Sequence, residues 1–281
     1  MSYDRLRILV PMDGSPASES ILPALLPIVR SRASEITVLR VVEDLESVDA
    51  ARADLHRIAR TLLMDGVRTV SRLEWGRPAD EIDHLARPSR HDLLAMTTHG
   101  RSGLSRAVLG STAETVLRRA KIPLLLNRPG SRVGDWRRIV LALDGSARAE
   151  EVLGDLEPLA AALRATVHVL HVTPPMPAMP EIHAISLLPP QPDLGPYIAA
   201  ICKRLEERGI RAVPANLRDH PAAGIHRYLT ENGAGLLALT TRGRSGVERM
   251  FAGSVAEEVI RASPVPVLVR RRPEVSMTAS A

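Results

Sequence analysis

A fifteen-residue segment occurs twice in this chain, with nine positions identical: Thr97-Thr-His-Gly-Arg-Ser-Gly-Leu-Ser-Arg-Ala-Val-Leu-Gly-Ser111 and Thr240-Thr-Arg-Gly-Arg-Ser-Gly-Val-Glu-Arg-Met-Phe-Ala-Gly-Ser254. A second pair precedes it in the same order, Ile8-Leu-Val-Pro-Met-Asp-Gly-Ser15 and Ile139-Val-Leu-Ala-Leu-Asp-Gly-Ser146. Asp13 to Gly110 spans 97 residues and Asp144 to Gly253 spans 109, so the second copy has gained 12. Self-similarity at so long a period means tandem domains rather than a solenoid of short units. Each copy is near the usual size of a domain with its own core. The reading is one domain over 1–130, a second over 136–273, and a frayed tail over 274–281. The segment Arg128-Pro-Gly-Ser-Arg-Val-Gly-Asp135 between them is polar and rich in turn formers.

Composition matters here for what it excludes. No apolar run reaches the roughly 18 residues of a membrane span. Cys202 is the only cysteine, so no intrachain disulfide forms, and a cytoplasmic location is expected. The net charge is +5, but 32 acids are interleaved with the bases and aromatics are 2% of the chain, which leaves little to stack on bases. Neither nucleic acid nor membrane is expected as a partner.

Short apolar runs alternate with segments of helical spacing in both copies. In copy one the strands are Leu6–Pro11, Ile36–Val42, Val67–Trp75, Leu93–Thr97 and Ile122–Leu126. In copy two they are Ile139–Leu143, Val167–Val172, Ile210–Leu217, Leu236–Thr240 and Val265–Val269. The alternation predicts an α/β fold with an open, parallel five-stranded sheet in each copy and helices on both faces. Pro23 and Pro27 should kink or shorten the first helix. Pro123 argues that the last strand of copy one is an edge or pairs irregularly.

Ligands of such sheets bind beyond the carboxyl ends of the strands, where the winding reverses. With strand order 3-2-1-4-5, that crevice lies between strands one and four. Asp13 and the loop from Gly100 would face each other there, as would Asp144 and the loop from Gly243. The loop glycines let backbone approach a ligand closely. Gly110-Ser111 and Gly253-Ser254 place free N–H groups and the positive end of a helix dipole where an anion can bind. Arg101 and Arg244 could add charge. Asp13 and Asp144 could accept hydrogen bonds from ribose hydroxyls or an adenine amino group. Aspartate is also a common turn residue in Asp-Gly-Ser.

These residues resemble the universal stress protein family in its ATP-binding form, whose pattern is Gly-x2-Gly-x9-Gly-Ser/Thr, preceded far upstream by a strand ending in Asp. The resemblance covers nearly the whole chain as two tandem domains. It implies a Rossmann-like sheet of order 3-2-1-4-5, ATP or ADP as ligand with magnesium as an optional companion, and docking of the two domains through their last strands, with a homodimer also open. It implies that Pro11, Asp13, Val41, Met96 and Thr97 line the adenosine, while Gly100, Gly110, Ser111 and Thr112 hold phosphates. The matching set in copy two is Asp144, Val172, Leu239, Thr240, Gly243, Gly253, Ser254 and Val255. Each copy departs from the pattern once: Thr97 and Thr240 stand where the first Gly belongs, and a β-branched residue takes φ > 0 only at a cost.

The function so implied is nucleotide-dependent regulation in a stress response. The alternatives are a slow ATPase or self-phosphorylating enzyme, and an interaction scaffold that has lost its nucleotide. Against rapid turnover, the chain has no Gly-x4-Gly-Lys-Ser/Thr loop and so lacks its phosphate-neutralising lysine. His168 and His171 share a strand but point to opposite faces, which disfavours a metal site. His99 is an Arg in the other copy, a poor pattern for a shared catalytic base. The proline-rich insert from Thr173 to Pro192 reads as a surface loop, or else as a lid or a partner-contacting arm.

Overall fold

The computed structural model describes residues 5–99, 109–175, 193–241 and 254–271. In copy one, β1 (Leu6–Met12) leads through α1 (Pro16–Glu19) and α2 (Ile21–Ser31) to β2 (Ser34–Val42). Then come α3 (Val48–Met64), β3 (Arg68–Trp75), α4 (Pro78–Leu85), β4 (Leu93–Thr97), α5 (Ser111–Arg119) and β5 (Leu124–Asn127). Copy two repeats the plan. It runs β6 (Arg138–Ala142), a 3-10 turn (Ala149–Val152), α6 (Leu153–Leu163), β7 (Thr166–Thr173), α7 (Gly195–Glu207) and β8 (Arg211–Arg218). It ends with α8 (Pro221–Glu231), β9 (Leu236–Thr241), α9 (Ser254–Ala262) and β10 (Val267–Arg271).

Proline effects on the first helix are partly displaced from the expected place. The break falls at Ser20, whose N–H turns back to the carbonyls of Ala17 and Ser18. Pro23 then stands in the first turn of α2, where no N–H is required, and Pro27 is the proline inside the helix. Ser15 caps α1 by accepting from the Ser18 N–H at 3.1 Å, with Pro16 in the first turn. Gly66 ends the α3 region at φ +76°, a left-handed position that glycine adopts without strain.

Among the described residues the strands form one ten-stranded sheet of order β3-β2-β1-β4-β5-β10-β9-β6-β7-β8. Each half therefore has the order 3-2-1-4-5, and the halves join at their last strands. All pairings are parallel except β5 with β10, which is antiparallel, with Leu126 opposite Val267, Leu125 opposite Leu268 and Leu124 opposite Val269. Of the two outcomes expected for β5 the edge does not arise: the strand pairs against the run of the sheet, antiparallel to β10, in the docking through last strands that the family resemblance implied. Pro123 lies just before the strand, its carbonyl accepts from Leu94 N–H at 3.0 Å, and β10 covers the outer side.

Alternation along the strands sends side chains to two cores. Ile8, Val10, Leu125, Ile139, Leu141 and Leu268 pack on one face with α2, α3, α6 and α7. Leu9, Leu39, Leu126, Val140, Leu237 and Val267 pack on the other with α4, α5, α8 and α9. Each core contains residues of both copies, so the apolar interior runs through the seam.

The segment linking the copies is tied down. Arg132 N–H donates to the Pro264 carbonyl at 2.8 Å, and Ser131 Oγ reaches the Ser263 carbonyl at 3.3 Å. Trp136 follows, 1% exposed, in the first core. Gly235 faces this segment so closely that a Cβ there would lie 2.3 Å from the Asp135 carbonyl oxygen. Backbone cannot swing aside as a flexible side chain can. Gly235→Ala is expected to destabilise the protein by about 3 kcal/mol and to lower Tm by roughly 5–10 °C, read by calorimetry. An unchanged Tm would show that the linker moves freely.

A charged pair lies near the seam. Asp155, in the first turn of α6, has a side chain 19% exposed and stands 3.5 Å from Arg270 of β10. Burial pushes its carboxyl up to about 6, and the Arg270 charge only partly opposes this. Its folded pKa is raised, so its contribution is fully present below the unfolded value near 3.8 and is lost as pH rises through about 6. Asp155→Asn removes that loss. The variant should match the wild type near pH 4 and exceed it at pH 7.5 by on the order of 2–3 kcal/mol in urea unfolding. A variant less stable than wild type at pH 7.5 would mean that the Arg270 pairing outweighs desolvation.

Candidate functional site

At the carboxyl ends of β1, β2 and β4 the winding of copy one reverses, and a cavity of about 250 Å3 opens there. Pro11 and Asp13 enter it from β1 and the turn after it, Val41 from β2, and Met96 and Thr97 from β4. Gly110, Ser111 and Thr112 enter from the start of α5. These eight are the sequence-expected residues of copy one apart from Gly100, which lies outside the described residues with its loop at 100–108.

Each is placed by local chemistry. β1 is buried through its carboxyl half, so the chain leaves the core at Asp13. Asp13 Oδ1 then accepts from Ser15 N–H at 2.9 Å and Ser15 Oγ at 2.6 Å. This side-chain turn steers the backbone through Gly14 at φ +80° into α1. Asp13 therefore shapes the turn and lines the cavity together. Gly110 has extended backbone as the residue before α5, and its N–H donates to the Thr98 carbonyl at 2.8 Å. The first N–H groups of α5 face the crevice without a side-chain cap, and the helix dipole adds positive potential there.

Thr97 resolves the one departure from the expected pattern. It is the last residue of β4, with no positive φ, and its Oγ1 donates to the His99 carbonyl at 2.8 Å. Extended backbone suits a β-branched side chain, so the strain expected from a missing glycine does not arise. Thr240 sits inside β9 for the same reason, and its Oγ1 donates to the Ala149 carbonyl at 3.1 Å.

Sequence reasoning missed part of the wall: Leu39 from β2, Pro78 and Ile82 from α4, and Thr98 and His99 beyond β4. Leu39 was legible, because it shares a strand face with Val41 two residues on. Pro78 and Ile82 were not, since only tertiary packing sets α4 across the crevice. His99 Nδ1 is 2.9 Å from Thr98 Oγ1, while its Nε2 is buried and has no hydrogen-bond partner among the described residues.

Copy two brings Asp144, Val172, Leu239 and Thr240 to the carboxyl ends of β6, β7 and β9. Asp144 Oδ1 repeats the turn, accepting from Ser146 N–H at 2.9 Å and Oγ at 2.6 Å. Ser254 opens α9, and Val255 packs on the second core. Gly243 and Gly253 lie outside the described residues. The two turns differ around their glycine: Arg40 and Asp54 crowd Gly14, whereas the Leu194 side chain crowds Gly145. Most of the proline-rich insert (176–192) also lies outside the described residues. His168 contacts the Tyr228 hydroxyl at 2.8 Å and His171 the Leu143 carbonyl at 2.9 Å, so each has a separate structural partner.

Comparison with known proteins gives consistent results. The model of the universal stress protein family matches the chain twice, over residues 5–128 and 135–271. A universal stress protein of Methanocaldococcus jannaschii is 29% identical over 136 residues, which are 43% of this chain and 80% of the relative. One from Mycolicibacterium smegmatis is 27% identical over 138 residues, 44% of this chain and 46% of the relative. Among solved structures, a universal stress protein from Archaeoglobus fulgidus superposes with a TM-score of 0.78 at 24% identity, covering 95% of this chain and 98% of that one.

Proposed function

The chain belongs to the universal stress protein family, and on that footing we propose that it is a regulatory protein that binds ATP or ADP in the crevice of copy one. The observation that carries this reading is the convergence of Pro11, Asp13, Val41, Met96, Gly110 and Ser111 on one cavity of about 250 Å3. Apolar side chains from β2, β4 and α4 offer a slot for a flat base, and Asp13 lies where a ribose can donate to it. Gly110, Ser111 and Thr112 set the positive end of α5 toward a polyphosphate. A magnesium ion would ride on the phosphates, since no metal-holding group of three His, Cys, Asp or Glu occurs among the described residues. Nucleotide occupancy would then favour whichever arrangement of the chain binds it better.

Copy two is proposed to hold a second adenine nucleotide through Asp144, Val172, Leu239, Thr240, Gly243, Gly253, Ser254 and Val255. Equilibrium titration with ATP tests both proposals. Saturable binding at one or two per chain is expected, and the supernatant of freshly purified, heat-denatured protein should contain adenine nucleotide. Absence of both signals would leave a scaffold acting through protein contacts. One ATP per chain, lost on substitution in copy one alone, would refute the second site.

A further inference from the structure

A larger cavity, of about 400 Å3, lies away from the nucleotide crevice and exists because the two halves dock. Copy one supplies the amino-end approaches to β4 and β5 and the end of α2; copy two supplies the first turns of α6 and the strand β10. Ile28, Ile122, Leu159 and Leu268 form much of its apolar wall. Its volume falls within the roughly 300–1,000 Å3 typical of small-molecule sites.

The polar part of the lining is not repeated between the copies. Arg32, His91, Asp92, Lys121, Asp155 and Arg270 all border this cavity. The repeat register pairs them with Leu163, Ala234, Gly235, Pro264, Ala24 and Asn127. None of those counterparts is charged, so this constellation is not a by-product of the duplicated fold.

Most of these groups already have partners. Asp92 accepts from Arg7 N–H at 2.9 Å and from its guanidinium at 2.8 Å. His91 reaches the Leu85 carbonyl at 2.8 Å and Thr37 Oγ1 at 3.1 Å. Arg270 faces Asp155 at 3.5 Å. Among the described residues no ion pair engages Arg32 or Lys121, and both border the apolar chamber. Asp155 Oδ2 is buried and, among the described residues, has no hydrogen-bond partner.

From the apolar chamber and its two uncommitted cations we propose that this interdomain cavity binds a small organic acid with an apolar body, its carboxylate held by Arg32 and Lys121. Such a ligand touches both halves at once and so favours their docked state, independently of nucleotide.

The test uses the full-length chain with octanoate and the fluorescent sulfonate 8-anilinonaphthalene-1-sulfonate as probes. The dye should bind saturably at one per chain, be displaced by octanoate, and be unaffected by saturating ATP. The double variant Arg32→Glu, Lys121→Glu should weaken both probes at least tenfold, and Leu159→Trp, which fills the chamber, should do the same. Circular dichroism and ATP titration of each variant establish that fold and nucleotide crevice are intact; a chamber-filling variant that fails to fold leaves the surface charge variant to decide. Displacement of the dye by ATP, lack of saturation at one per chain, or unchanged affinity in the double variant would overturn the proposal. Loss of ATP binding with the dye result intact would instead count against the nucleotide reading alone.

Discussion

Gly110→Val is expected to lower the affinity of the first crevice for ATP by roughly 100-fold, or about 3 kcal/mol, with little change in Tm. Gly110 has φ −62°, so any residue fits its backbone. A Cβ there would lie 3.4 Å from the Thr98 carbonyl oxygen and 3.9 Å from His99 Cα, which a methyl group tolerates with small shifts. The two further carbons of valine add bulk where Gly110 borders the cavity and a phosphate must approach the start of α5. Gly110→Ala should therefore bind with a loss of only a few-fold, and the contrast between the two variants separates blockade from unfolding. Titration calorimetry of both, beside their thermal melts, makes the measurement. Equal ATP binding by valine variant and wild type would mean that the phosphates lie elsewhere.

Leu268→Asp should remove at least about 4 kcal/mol of stability, a large share of the 5–15 kcal/mol of an ordinary domain. Leu268 is 3% exposed and sits opposite Leu125, itself fully buried, across the antiparallel seam. A carboxylate placed there loses its hydration and the variant loses the packed isobutyl group as well. Urea unfolding followed by tryptophan fluorescence should shift to a markedly lower midpoint. Opening the seam also bares β5, whose outer side then presents unpaired backbone groups. Copy one expressed alone should consequently self-associate, pairing β5 with β5 of a second copy. Sedimentation showing a monomer at high concentration, together with an unshifted urea midpoint for Leu268→Asp, would remove the seam from its place in the stability of the chain.

Much of the fold was legible because parallel strands buried on both faces write short apolar runs, and α3 and α4 write apolar positions at helical spacing. Leu55, Ile58 and Leu62 are buried as their spacing implied, and so are Ile82 and Leu85. Helix punctuation was less legible. The bend in the first helix falls at Ser20 rather than at either proline, because Pro23 lands in the first turn of a new helix that asks nothing of its N–H. Thr97 looked costly only because it stands where the family pattern has a glycine. Strand β4 ends at Thr97, as its apolar run implied, and threonine is at ease in extended backbone.

What the sequence determined unaided was the duplication, the strand and helix alternation, and the facing of Asp13 and Gly110-Ser111 across one crevice; the family resemblance supplied the rest of the copy-one lining. These are local patterns, readable because hydrophobic periodicity and turn chemistry act over a few residues. Tertiary structure alone decided the register in which β5 meets β10, that α4 closes the crevice with Pro78 and Ile82, and that Asp155 meets Arg270 beside a chamber shared by both halves. Those features depend on contacts between segments from 40 to more than 140 residues apart, and no local pattern records which distant surface a buried face will find.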